Sequence, residues 1–208
     1  MKYIKRLVAG SLVVVLSLLM IPATYSHDAF YDVSDAEAYV YPVLPGTEEW
    51  LALPDHSARL QACQIPEDVF AGMSTKDLAA SVLDYPFLGD LYAFNTARGW
   101  FQCLTDNFNG LQELRKRPDA GTVLLGFFNA AKVYTVGECE NMDEVARFDE
   151  ALKLDALTVF LTQPEFVSQL SSKEQQSLSA LTAKKREQRA QNPEFYSMIL
   201  VDTLLGMD

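Results

Sequence analysis

Histidine is scarce in this 208-residue chain, which carries two, His27 and His56. The shortage removes most metal centres and most base-assisted catalysis, because a Ser-His or Cys-His pair inside the body must use His56. His56 lies in "LPDHSARLQAC", beside Ser57 and ahead of Cys63, with no nucleophile elbow or Gly-rich oxyanion turn around it. It reads as a surface residue. Basic side chains are also few: 17 Lys and Arg face 28 Asp and Glu, giving a formal charge of -11. Nucleic acid and anionic lipid both reward clustered cations, so neither is expected as a partner. No zinc spacing, P-loop or dinucleotide fingerprint is present, and no cofactor or metal is expected. After residue 46 no stretch alternates apolar and polar residues as a half-buried strand does. Beyond Ile21 no apolar run approaches the roughly 20 residues of a bilayer span.

What is present begins with a leader. Lys2, Lys5 and Arg6 precede an apolar run from Leu7 to Ile21, followed by Pro22 and "ATYS". That is the order of a secretory signal peptide, with cleavage expected after Ser26. The protein is therefore expected at the cell envelope or outside the cell, with residues 1–26 removed. A retained leader would instead make it a structural module of the envelope. Three cations leave with the leader, so the mature chain is more acidic still, a balance that serves solubility first. Were His27 the new N-terminus, its amine and imidazole together with His56 would suit copper. Such pairs sit on β-sandwiches, whereas this chain reads as helical. Export permits one disulfide among Cys63, Cys103 and Cys139, and the odd count leaves a thiol over. Spacing selects no pair, and an unpaired set stands equal to one bridge. Cys103, in an apolar stretch, reads as a small core residue.

Proline and capping residues divide the rest. Residues 27–46 lack a helical period and read as an extended arm, packed through Tyr39, Tyr41 and Val43. Residues 47–208 read as a single all-α domain, a compact orthogonal or irregular bundle of about eight to ten short and medium helices. Thr47 caps "EEWLAL", a short helix follows Pro54, and Ser74 with Asp77 forms an acidic variant of the capping box. Leu78, Ala79, Val82 and Leu83 share one face before Pro86 ends the helix. "FLGDLYAF" and "ARGWFQCLTDNF" give two further helical segments. After Pro118, Val123, Leu124, Phe127, Phe128 and Ala131 form a buried stripe. Gly137 is expected to break the chain into an acidic loop, "ECENMDE". The helix from Asp143 to Leu161 sets Val145, Phe148, Leu152, Ala156 and Val159 on one side. "KEQQSLSALTAKKREQRAQ" reads as an outer helix, and Phe195, Met198, Ile199 and Leu205 as part of a last one. "PEFVS" at Pro164 returns as "PEFYS" at Pro193, which reads as a good helix start used twice.

"TDNFNGLQELRK" imitates a calcium loop only in its middle. With Gly110 at the sixth position, Asn107 and Asn109 fall correctly, but Thr105 stands first and Lys116 twelfth, where Asp and a bidentate Glu are required. Calcium is excluded. The segment reads instead as a joint, with Asn107 or Asn109 as helix cap and Gly110 easing the turn.

From Trp50 to Leu125 the words "CQIP", "MSTKDL", "LDYPFL" and "NFNGLQEL" resemble a segment of secreted bacterial helical proteins of uncharacterised function. The resemblance implies export and a compact helical fold. It implies no activity and no catalytic residues. Within the segment Tyr85, Tyr92, Asn95, Arg98 and Trp100 are the candidate binding residues. The aromatics would supply flat apolar area, and Arg98 would hold a carboxylate or a peptide carbonyl. Against this stands an aromatic core with Arg98 paired to Asp90 or Asp106. The expectation is an exported protein, monomeric or weakly associating, that binds a protein, a peptide or a surface polymer. A secreted hydrolase with Asp84 and Asp90 in an aromatic cleft is the competing class.

Overall fold

The computed structural model describes residues 30–196, and every regular element among them is helical. The leader, His27 and the expected last helix after Tyr196 lie outside the described residues; the expected start of that helix at Pro193, with Phe195, is a turn rather than a helix. The elements are α1 (Glu48–Ala52), α2 (His56–Ala62), α3 (Glu67–Gly72), α4 (Thr75–Leu83), a 3-10 helix (Leu88–Ala93), α5 (Ala97–Asn107), α6 (Asn109–Leu114), α7 (Ala120–Ala130), α8 (Val136–Glu140), α9 (Glu144–Phe160), α10 (Pro164–Val167) and α11 (Ser172–Ala190). The fold is all-α, as the periodicity predicts. Eleven α-helices are described rather than about eight to ten, because caps cut the chain into single-turn pieces. No helix among the described residues is long and apolar enough to cross a membrane.

Helix α7 is the axis of the core. Val123, Leu124 and Phe128 are buried, and the helix packs on α4, α9, α10 and α11. Two glycines set its closest approaches: a Cβ at Gly121 would lie 2.3 Å from the Phe166 carbonyl oxygen of α10, and one at Gly126 2.5 Å from that of Tyr31. Phe166, Phe101, Phe160 and Trp100 form a ring cluster, with Trp100 stacked on Phe160 at 5.7 Å. The arm follows α4: the backbone N–H groups of Glu37 and Tyr39 donate to Asp77 Oδ1 (2.9 Å) and Ser81 Oγ (2.8 Å). Tyr41 enters the core and donates its hydroxyl to the Ser81 carbonyl at 2.7 Å. Two N–H groups of the extended arm thus find their partners in the side chains of α4.

Three expectations change. Gly137 does not break the chain; it lies inside α8, whose start is closed by a capping box between Thr135 and Glu138. Reciprocal bonds to otherwise orphaned N–H groups outweigh the modest helix cost of glycine. The bond from Lys132, together with those from Thr135, holds the Glu138 carboxyl well down, at about 2. The stripe on α9 is buried at Leu152, Ala156 and Val159, but Val145 is 76% and Phe148 53% exposed. The Phe148 ring meets the Tyr92 ring at 5.7 Å, outside the core. Cys103 is exposed, whereas Cys63 and Cys139 are buried, and all three thiols are free. Burial pushes the Cys63 thiol up to about 11.

Helix α11 is mostly exposed, as its composition predicts, yet Lys185 and Arg189 turn inward. The Lys185 ammonium donates to the Ala131 carbonyl and lies 5.3 Å from the centre of the Phe128 ring. Burial, with Arg189 and Lys184 nearby, pushes its pKa from 10.5 down to about 8. Between those two values the unfolded chain keeps a proton that the folded chain releases, so this residue makes stability rise with pH. Cys63 acts in the opposite direction from its ordinary value of 9.0 upward. That contribution cancels when wild type is compared with Lys185→Met. Denaturant titrations of the two proteins at about pH 7.5 and 9.5 should therefore show the stability of wild type gaining on the variant. A pH-independent difference would place the ammonium in water.

Candidate functional site

Three pieces of chain enclose a cavity of about 200 Å³ beneath α2. Helix α5 supplies Trp100, Cys103, Leu104 and Asn107, a spacing of 3, 1 and 3 that puts all four on one face. Helix α2 supplies His56 and Leu60, one turn apart. The connection from α4 through the 3-10 helix supplies Tyr85, Phe87, Asp90 and Phe94.

The two helices are held opposite each other by a reciprocal amide clamp. Gln64, just after α2, accepts from the Asn109 backbone N–H at 3.0 Å and donates to the Asn107 carbonyl at 3.0 Å. Asn109 accepts from the Ile65 N–H at 3.0 Å and donates to the Ile65 carbonyl at 2.7 Å. These bonds correct the expected role of the asparagines. Phe108 is the residue before α6 and no side chain caps that helix, while Asn107 donates back to the Cys103 carbonyl at 2.8 Å. Gly110 does not serve a turn either. A Cβ there would meet the Phe108 ring at 2.3 Å, so its smallness lets that fully buried ring close over the joint. The segments "CQIP" and "NFNG" form a latch between α2 and the junction of α5 with α6.

The cavity walls are anchored from outside. Tyr85 stacks on Phe108 at 3.8 Å between ring centres, Trp100 on Phe160, and Phe87 lies 5.0 Å from Trp50. Rings held in this way lose little further freedom when a ligand arrives. Two of their polar atoms have no hydrogen-bond partner among the described residues: the Tyr85 hydroxyl and Trp100 Nε1. Tyr85 is 3% and Trp100 1% exposed, so each atom is withdrawn from water without compensation. Buried polar groups are nearly always paired, and a group left over calls for a partner. Burial raises the Tyr85 phenol well above its ordinary range, so it stays neutral. Asp90 sits at the rim. The apolar wall raises its carboxyl above the ordinary range, and the His56 imidazole opposes that rise.

Of the five candidate binding residues, the structure brings together Tyr85 and Trp100. Tyr92 faces the other way, donating its hydroxyl to Asp155 Oδ2 at 3.0 Å. Asn95 and Arg98 are exposed and do not line the cavity. Among the described residues Arg98 forms no ion pair with Asp90 or Asp106. Asp84 is bonded to Lys153 at 2.6 Å and does not line the cavity, so the two carboxylates considered for hydrolysis do not converge there. His56 and Cys103 share the cavity, yet no hydrogen bond joins them. Asn107 Nδ2 is the group that meets the thiol, at 3.6 Å from Sγ. Among the described residues no cluster of His, Cys, Asp and Glu fits a metal ion.

Neither a family model, a curated protein nor a solved structure matches this chain. Larger depressions exist, of about 530 Å³ beneath the arm, about 400 Å³ between α9 and α11, and about 360 Å³ beside Phe148. The first is bounded by Phe30 and the last by Phe195 and Tyr196, at the two ends of the described residues. None of the three is lined by a residue with an unpaired buried atom.

Proposed function

We propose that this is an exported helical binding protein that takes a small organic ligand, or one small group of a larger partner, into the cavity between α2, the 3-10 helix and α5. The observation that carries the reading is a cavity with a preorganised aromatic wall, two of whose residues, Tyr85 and Trp100, each keep a buried polar atom without a partner. A volume of about 200 Å³ suits a single ring or a short branched chain; a cavity of about 150 Å³ already holds benzene. Export rests on the leader read in residues 1–26, and it places the binding at the cell surface or outside the cell. The hydrolase reading has less support, because one carboxylate rather than two faces the cavity.

A panel of small amines, alcohols and phenols, screened by thermal shift against wild type and Cys103→Trp, tests the proposal. Cys103 is exposed on the cavity wall, so the indole can occupy the space without a core change. Some compounds should raise the melting temperature of wild type and leave the filled variant unmoved. Equal stabilisation of both proteins would move the binding elsewhere.

A further inference from the structure

Resting on that reading of the cavity, we infer that its ligand is a small alkylated ammonium ion carrying a hydroxyl or carbonyl oxygen. Four aromatic side chains, Tyr85, Phe87, Phe94 and Trp100, contribute to the walls. Aromatic faces attract cations through their quadrupole, and the attraction grows where water is excluded. Asp90 adds a carboxylate at the rim, and no hydrogen bond or ion pair engages that carboxylate among the described residues. No Lys or Arg lines the cavity. Arg59, on the same helix as His56, is placed over the Trp50 ring at 5.5 Å instead.

These features sort the ligand classes. An anion would meet the Asp90 carboxylate, and the wall offers it no Lys or Arg; the His56 imidazole, the one basic group in the wall, already acts on Asp90. An inorganic cation would have to leave its hydration shell for an apolar enclosure offering one carboxylate at the rim, which is costly. A neutral aromatic would fill the walls but gain nothing from Asp90. An alkylated ammonium ion gains from both: its alkyl groups cover the rings while its charge faces them and the carboxylate. The unpartnered Trp100 N–H is a donor, so a ligand that reaches it must bring an acceptor oxygen, and the Tyr85 hydroxyl can donate or accept.

Choline and its uncharged carbon isostere, 3,3-dimethylbutan-1-ol, differ in the charge and little else. Isothermal titration of the full chain with each probe separates the two levels of the proposal. Choline is expected to bind about tenfold tighter than the isostere, or more, from cation–aromatic and carboxylate attraction together. Asp90→Asn should reduce that preference several-fold. If that variant does not fold, the comparison on wild type still decides. An isostere that binds as tightly as choline would overturn the cation inference and leave the cavity reading standing. If neither probe binds and no compound distinguishes wild type from Cys103→Trp, both fall.

Discussion

Replacing Arg189 with alanine is expected to lower stability by about 3–5 kcal/mol, the usual cost of stranding one partner of a buried ion pair. Arg189 is 2% and Asp155 4% exposed, with Nη1 2.5 Å from Oδ1. Tyr92 donates to the second carboxylate oxygen, and the guanidinium lies 5.7 Å from the centre of the Tyr196 ring. The pair thereby ties α11, α9 and the 3-10 helix together. Burial already holds the Asp155 carboxyl above its ordinary range, against the pull of Arg189 and the bond from Tyr92. Without Arg189 that rise must grow, so the folded variant binds a proton that the unfolded chain, near 3.8, has released. Its stability therefore falls as pH rises above that value, and the deficit should narrow as pH is lowered from about 8 to about 5. Paired replacement by Arg189→Met and Asp155→Leu should recover most of the loss, since no charge is then left alone. Urea titrations of the three proteins measure all of this. A loss below about 1 kcal/mol for Arg189→Ala would mean that the pair is solvated.

The second large effect is steric. Gly121→Ala is expected to cost about 2–3 kcal/mol, although alanine is the better helix former by about 1 kcal/mol. The added Cβ would press on the Phe166 carbonyl oxygen at 2.3 Å, a backbone atom that cannot rotate away. Phe166 itself is fully buried, so α10 has little freedom to retreat. The Gly121 N–H also donates to Gln169 Oε1 at 2.7 Å, and a shift of α10 would stretch that bond. Gly137 provides the internal control: it is helical, and a Cβ there would find nothing within 4 Å. At that site the same substitution should stabilise by about 0.5–1 kcal/mol. Opposite signs at the two sites are the expected result in thermal or urea unfolding; a gain at Gly121 would mean that α7 and α10 are not in close contact.

How much of this is legible in the sequence depends on how far apart the interacting residues lie. Local rules serve well. Thr47, Asp55, Ser74, Thr96 and Ser171 each accept from a backbone N–H at the start of a helix. The stripe Leu78, Ala79, Val82 and Leu83 is buried where the 3.6-residue period puts it. The cavity is half legible. Tyr85 and Trp100 stand out as aromatics in a short, dense segment. Arg98 does not join them because it precedes Trp100 by two positions, which on a helix points it to another face. Cys103 and Asn107 follow Trp100 at helical spacing, and that periodicity is the available signal. His56 and Leu60 are hidden as cavity residues, because their approach to α5 depends on the Gln64–Asn109 latch. Asp90 is legible as a carboxylate in an aromatic segment, but its separation from Asp84, which pairs with Lys153, is not. Nothing local marks two amides in distant segments as partners. The same holds for Asp155 and Arg189, which lie 34 positions apart on two different helices.

The central claim is that a ligand enters the cavity and meets the Trp100 indole N–H. The most direct measurement is the resonance of that proton in a ¹⁵N-labelled chain, followed as compounds that raise the melting temperature are added. The chain has two tryptophans, so one other indole signal, from Trp50, serves as reference. The account predicts a saturable downfield shift of the Trp100 signal as the proton gains an acceptor, with a much smaller movement at Trp50. In Cys103→Trp neither of these two signals should move. A Trp100 signal that stays still while the protein is stabilised, or that no compound moves, would contradict it.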